Sequence, residues 1–192
     1  MCTVKIRRFL ILLAALIFVF LFSACKTDTG DKKIVVSNSL WPEYTFEEAC
    51  DEAARIIIGT VSSLNRTYVT RVMERPLSDG SYVELGYTVL NIEVEETLKG
   101  EHQDTIEYIQ KGCETEDRIF MPDSFALSIG DRVLVFIGGN KLMLTPAFLL
   151  HIDEDNNVTT NYLPENYPAA FSASNEIDVE EYAGLIRDCL AG

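Results

Sequence analysis

The sequence predicts a mostly β fold: a small Greek-key barrel with a short N-terminal helix and a C-terminal helix. Three observations carry this prediction. Runs rich in Ile, Val, Thr and Tyr recur from Arg55 onward, separated by turn-forming clusters such as Ser78-Asp79-Gly80 and Gly138-Gly139-Asn140. Within these runs apolar side chains alternate with polar ones, the period of a strand with one buried face. Helical spacing is confined to two stretches, one after Thr45 and one after Asp178.

Residues 1–24 read as an export signal. Lys5, Arg7 and Arg8 form a basic start that favours retention of that end in the cytoplasm, and an apolar run from Phe9 to Phe22 follows. This run is shorter than the roughly 18 residues of a membrane span and suits the hydrophobic region of a signal peptide. Leu21-Phe22-Ser23-Ala24-Cys25 resembles the lipobox of bacterial lipoprotein precursors, with Phe22 where Leu is usual. The resemblance implies that the Cys25 thiol takes a diacylglyceryl group and that cleavage falls just before it; once deprotonated, a thiol is a strong nucleophile. At about 0.8 kcal/mol per buried methylene, several acyl chains would hold the protein on the extracytoplasmic face of the cell membrane. Residues 25–44 read as a tether, polar at first and then broken against helix by Pro42. The folded domain is expected over residues 45–192.

Thr45 and Glu48 have the spacing of a capping box, which opens a short helix to about Ala54, with Trp41 close enough to pack over it. Arg55 to Leu64 reads as a buried strand and Arg66 to Glu74 as a second, closed by Pro76 and the turn at Ser78-Asp79-Gly80. Val83, Leu85, Tyr87 and Val89 then alternate in one phase, and Leu90, Ile92 and Val94 in the other. A one-residue shift exchanges the faces of a strand, so the chain must bulge or bend near Val89. Lys99-Gly100 ends this strand, Thr105 to Gln110 supplies another, and a polar stretch follows around Glu114 to Arg118. Arg132 to Ile137 is expected to return through Gly138-Gly139-Asn140 into Lys141 to Thr145 as a hairpin, and Phe148 to Ile152 to pair with Val158 to Tyr162 around Asp155-Asn156-Asn157. Asp178 caps the last helix, whose Val179, Tyr182, Ala183, Ile186 and Leu190 share one face.

Short strands framed by two helices suggest a five-stranded barrel of the OB type. Residues 50–61, Cys50-Asp51-Glu52-Ala53-Ala54-Arg55-Ile56-Ile57-Ile58-Gly59-Thr60-Val61, resemble the opening strand of the tissue inhibitors of metalloproteinases and netrin-like domains. Ile92 to Gly100 resembles their long third strand, and Gly130 to Phe136 a later one. The likeness covers roughly Cys50 to Thr145 and implies the barrel. It does not imply metalloproteinase inhibition, which in that family needs a free N-terminal cysteine to chelate the catalytic zinc; Cys50 is internal and has no free amine. Beyond Cys2 and Cys25, the thiols are Cys50, Cys113 and Cys189. An oxidising exterior admits one disulfide among them in three ways, and buried reduced thiols are the other reading. The resemblance favours Cys50 with Cys113.

The formal charge is −14, and loss of Lys5, Arg7 and Arg8 with the leader makes the remainder more acidic still. Such a chain repels phosphate backbones, which excludes nucleic acid as a partner class. His102 and His151 stand apart from any Cys or His at metal-ligand spacing. Asp153, Asp155 and Asn157 copy the start of a calcium loop, but Val158 stands where Gly is needed and no closing Glu follows. Gly138-Gly139-Asn140-Lys141 lacks the spacing of a phosphate-cradling loop, and there is no G-x-S-x-G elbow. Glu95 and Glu96 are adjacent on a strand and so point to opposite faces. These readings favour a surface-tethered, non-catalytic binding module for a protein, peptide or glycan, with no metal or cofactor. A cell-envelope enzyme and an inhibitor of an extracellular enzyme are the alternatives.

Overall fold

The short helix α1 (Phe46–Glu52) forms where the capping box predicts it: Thr45 Oγ1 accepts from Glu48 N at 3.2 Å, and Glu48 Oε2 accepts from Thr45 N at 2.8 Å. Its Phe46, Ala49 and Cys50 recur at helical spacing and are buried. The computed structural model describes residues 32–36, 42–72, 75–122, 125–142, 144–159 and 176–192. The leader, Cys25 and Trp41 lie outside the described residues, as does the chain beyond Thr159 in the second expected hairpin.

Two long strands follow α1, β2 (Arg55–Arg71) and β3 (Glu84–Lys99), preceded in the chain by a short β1 (Lys33–Val35). Then come β4 (Thr105–Lys111), β5 (Cys113–Glu114), β6 (Arg118–Phe120), β7 (Arg132–Ile137), β8 (Leu149–Ile152), β9 (Asn157–Thr159) and β10 (Glu176–Asp178). Helix α2 (Val179–Ala191) closes the chain, capped by Asp178, whose carboxylate accepts from the Glu180 and Glu181 amides. The main sheet has the order β10-β9-β8-β7-β2-β3-β4, and a small sheet has the order β1-β6-β5. β1 runs parallel to β6, with Lys33 opposite Arg118. Residues 25–44 are therefore not wholly a tether, because β1 belongs to the folded unit that spans Lys33–Gly192.

The mostly β class with a helix near each end is as expected, but the sheet does not close into a barrel. Among the described residues, β4 reaches the segment after β7 through one bridge, Ile109 to Leu142. Among the described residues Lys141 to Thr145 is not a regular strand, although it returns along the end of β7 as expected, Leu144 N donating to Phe136 O at 2.9 Å. A tight turn brings Gly138 N to Leu142 O at 2.8 Å with Lys141 at positive φ, and Pro146, which has no N–H to donate, then opens a 3-10 turn.

The predicted break in β3 is present, and its partner strand carries it. Leu64 faces Leu90 and Arg66 faces Val89, so Asn65 is the extra residue of a bulge; Ser62 is another one step inward. Val89 and Leu90 are both buried at this crossover. What read as two strands, Arg55 to Leu64 and Arg66 to Glu74, is thus one long strand kinked at Asn65.

Alternation along β2 divides the core in two. Ile56 and Ile58 join Leu134, Phe136 and Phe148 against α1 and α2, where Tyr182 and Ile186 are buried. Ile57 and Val61 face the other way, into the curl of the sheet with Leu90, Ile92, Tyr108 and Val135. Buried Gln110 ties the 125–127 segment to this second cluster: its Nε2 donates to Phe125 O at 2.7 Å, and its Oε1 accepts from Leu127 N at 3.1 Å.

Candidate functional site

Beyond the bulge, β2 has β3 alone as a strand partner, because β7 pairs only with Arg55 to Thr60. Residues 63–71 and 84–91 thus form an arm, whose β3 edge is paired with β4 from Tyr87 to Asn91. Its far end is an ordered turn in which Leu77 N donates to Ser81 O at 2.7 Å. Asp79 Oδ1 accepts from Ser81 Oγ at 2.6 Å and from Ser81 N at 2.9 Å, and these bonds hold its carboxyl below the usual aspartate range.

The small sheet covers one face of the arm. A Cβ on Gly86 would lie 2.5 Å from Cys113 Sγ and 2.6 Å from Phe120 Cγ, so only glycine lets β5 and β6 sit against the β3 backbone. Side chains of the next residue point the other way. Tyr87 and its cross-strand partner Tyr68 stack there, rings 5.2 Å apart and 22° from parallel. The Arg66 guanidinium stands 6.0 Å from the Tyr68 ring, and that of Arg71 4.2 Å from Tyr82. Arg71 also lies 3.8 Å from Glu84, which Arg118 of β6 bonds from the other sheet. Tyr68, Val72, Leu77 and Tyr82 are exposed. In a chain of charge −14, this is a concentration of arginine and aromatic surface.

The residues singled out from sequence fall elsewhere. Cys50 and Cys113 are not brought together, which corrects the pairing that the resemblance favours. Lys99, at one end of β3, donates to the Cys50 carbonyl at 2.7 Å, whereas Cys113 packs on Gly86 near the other end. Roughly 40 Å of strand lies between those points, against the roughly 7 Å that a disulfide spans between Cα atoms. Cys113 donates to Tyr68 O at 3.9 Å, and burial raises its thiol pKa. All three thiols are unbridged.

His102 lies in the loop after β3, with Nδ1 3.0 Å from Thr97 Oγ1. His151 sits on β8, its ring edge-on to Phe125. Asp153 accepts from Asn157 N at 2.8 Å and Asn156 takes positive φ, which makes that segment a hairpin turn. Glu95 and Glu96 take different partners, Glu95 accepting from Thr60 and Arg132 and Glu96 from Arg187 of α2, but the register slips at Glu95 and so breaks the alternation that predicts opposite faces. Among the described residues, no three His, Cys, Asp or Glu side chains are grouped to hold a metal ion, and no helix is long and apolar enough to cross a membrane.

No family model, curated protein or solved structure matches this chain. The likeness to netrin-like domains therefore stands on its short motifs alone. The aromatic face of the arm was not singled out in the sequence, although counting back from the Ser78-Asp79-Gly80 turn sets Tyr68 near Tyr87.

Proposed function

We propose that this chain is a lipoprotein held on the extracytoplasmic face of the membrane through Cys25, and that its arm is a non-catalytic binding surface for a protein, peptide or glycan. The observation that carries the proposal is the Tyr68–Tyr87 stack beside Arg66 on the arm face that the small sheet leaves open. Stacked aromatic rings offer large rigid contact area at low entropic cost, and arginine adds directional donors; both are enriched where binding energy concentrates. The anchor is supported by the basic start, the short apolar run and the small residues before Cys25.

Two measurements test the two halves. Labelled palmitate is incorporated by the wild type and not by Cys25→Ser; a wild type without label overturns the anchor. The full-length protein, probed on arrays of envelope peptides and glycans, binds a restricted set and loses it on Tyr68→Ala or Arg66→Ala. Binding that both variants retain overturns the surface.

A further inference from the structure

The contact between α1 and α2 begins with two rings and ends with two thiols. Phe46 meets Tyr182 edge-on, ring centroids 5.8 Å apart. Further along the same helices, Cys189 packs against the core cluster that holds Cys50 and lines a cleft with Glu47 and Asp51, the α1 residues that flank Cys50 on its face of the helix. Cys50 is completely buried, while Cys189 is half-buried and packs against the same core cluster. Cys189 also lines an open cleft of about 370 Å³ with Phe46, Glu47, Asp51, Leu185 and Asp188. One thiol thus faces the core and its neighbour faces solvent.

We propose that Cys50 and Cys189 form a disulfide linking the two helices, made by exchange with an external disulfide of neutral or cationic character that enters at Cys189. Cys189 Sγ, as thiolate, attacks one sulfur of the incoming disulfide; that S–S bond breaks and the first thiolate leaves. Cys50 Sγ then attacks Cys189 Sγ in the mixed disulfide and releases the second. The two cysteines lose two electrons to the oxidant, and their two protons end on the two thiolates released. Burial, and after it the neighbouring Cys189 thiol, pushes the Cys50 thiol pKa up, so the accessible cysteine reacts first. Glu47, Asp51 and Asp188 surround the entrance and disfavour an anionic oxidant. Lys99 Nζ donates to both the Cys50 and Asp51 carbonyls at 2.7 Å and holds the buried partner in place.

The test uses the full-length chain, reduced and then exposed separately to cystamine, 2-hydroxyethyl disulfide and glutathione disulfide at low ionic strength. Alkylation, digestion without reductant and mass spectrometry then locate the bonds. The expected product links the Cys50 and Cys189 peptides and persists in Cys113→Ser. Rates fall several-fold at each step from cystamine to 2-hydroxyethyl disulfide to glutathione disulfide, and they converge at about 1 M salt. Because the bond closes a loop of nearly the whole domain, reducing it lowers the thermal midpoint by about 10 °C. Recovery of Cys50 and Cys189 both alkylated, or a link that includes Cys113, overturns the proposal. Equal rates for the three oxidants at low salt overturn the acidic entrance. None of these outcomes depends on lipid at Cys25.

Discussion

The ammonium of Lys99, at the end of β3, donates 2.7 Å hydrogen bonds to the Cys50 and Asp51 carbonyls in the last turn of α1. The helix has acids in its first turn and no base in its last, so a strand 48 residues on in the chain supplies the cation that its C-terminal dipole favours. Lys99→Met removes both bonds while keeping the stem. The expected cost is about 2 kcal/mol, read as a lowered urea midpoint, together with faster hydrogen exchange at Ala53 N, which bonds Ala49 O. An unchanged midpoint would show that α1 is held by its apolar face alone.

Tyr108 presents the opposite situation. It is fully buried in the curl of the sheet, its hydroxyl makes no hydrogen bond among the described residues, and burial pushes its pKa up. A buried polar group without a partner is destabilising, so Tyr108→Phe is expected to raise stability by about 1 kcal/mol. A denaturation curve for the variant that shifts to lower denaturant would assign the hydroxyl a stabilising partner.

What the sequence made legible was set by local rules. The Thr45–Glu48 box and the Asp178 cap are backbone-satisfaction devices written within a few residues, and both form as read. The phase change at Val89 forced a break in the pairing, though alternation within one strand could not say that its partner would supply the extra residues, Asn65 and Ser62. β1, β5 and β6 are two or three residues long, too short for any period to show; β5 and β6 pack on Gly86 from far along the chain, and β1 adds to β6. Closure into a barrel is likewise a long-range matter: β4 meets the segment after β7 at the Ile109–Leu142 bridge, and alternation within a strand does not foretell how far that pairing extends. The Cys50–Cys189 contact was one of three open pairings, and only the docking of α2 on α1 selects it.

Asp79 at the tip of the arm gives a pH-dependent readout. Its carboxyl is held low first by the Ser81 hydroxyl and then by the Ser81 amide. A folded-state pKa below the unfolded one contributes stability that is present above the unfolded value and is lost as pH falls through the folded value. The Asp79 carboxyl resonance is therefore expected to titrate at lower pH than in the unfolded chain, and Ser81→Ala to move its midpoint upward. Identical midpoints in the two proteins would mean that the turn does not order around this carboxylate.

Tyr68 and Gly86 lie on adjacent-phase positions of the same arm and should fail in different ways. Tyr68 is exposed on the open face, where a cross-strand aromatic pair is worth about 0.2–1 kcal/mol, so Tyr68→Ala should leave the fold nearly as stable as before. If the Tyr68–Tyr87 face is where a partner binds, the same change should weaken binding at least tenfold, the scale of a central aromatic contact. Gly86→Ala drives a methyl group into Cys113 and Phe120 and should cost about 1–3 kcal/mol by overpacking, while leaving the aromatic face chemically intact. Denaturation and binding measured on both variants separate the two roles. If Tyr68→Ala is the more destabilising of the two, the stack is a structural clamp and the open face is not a recognition surface.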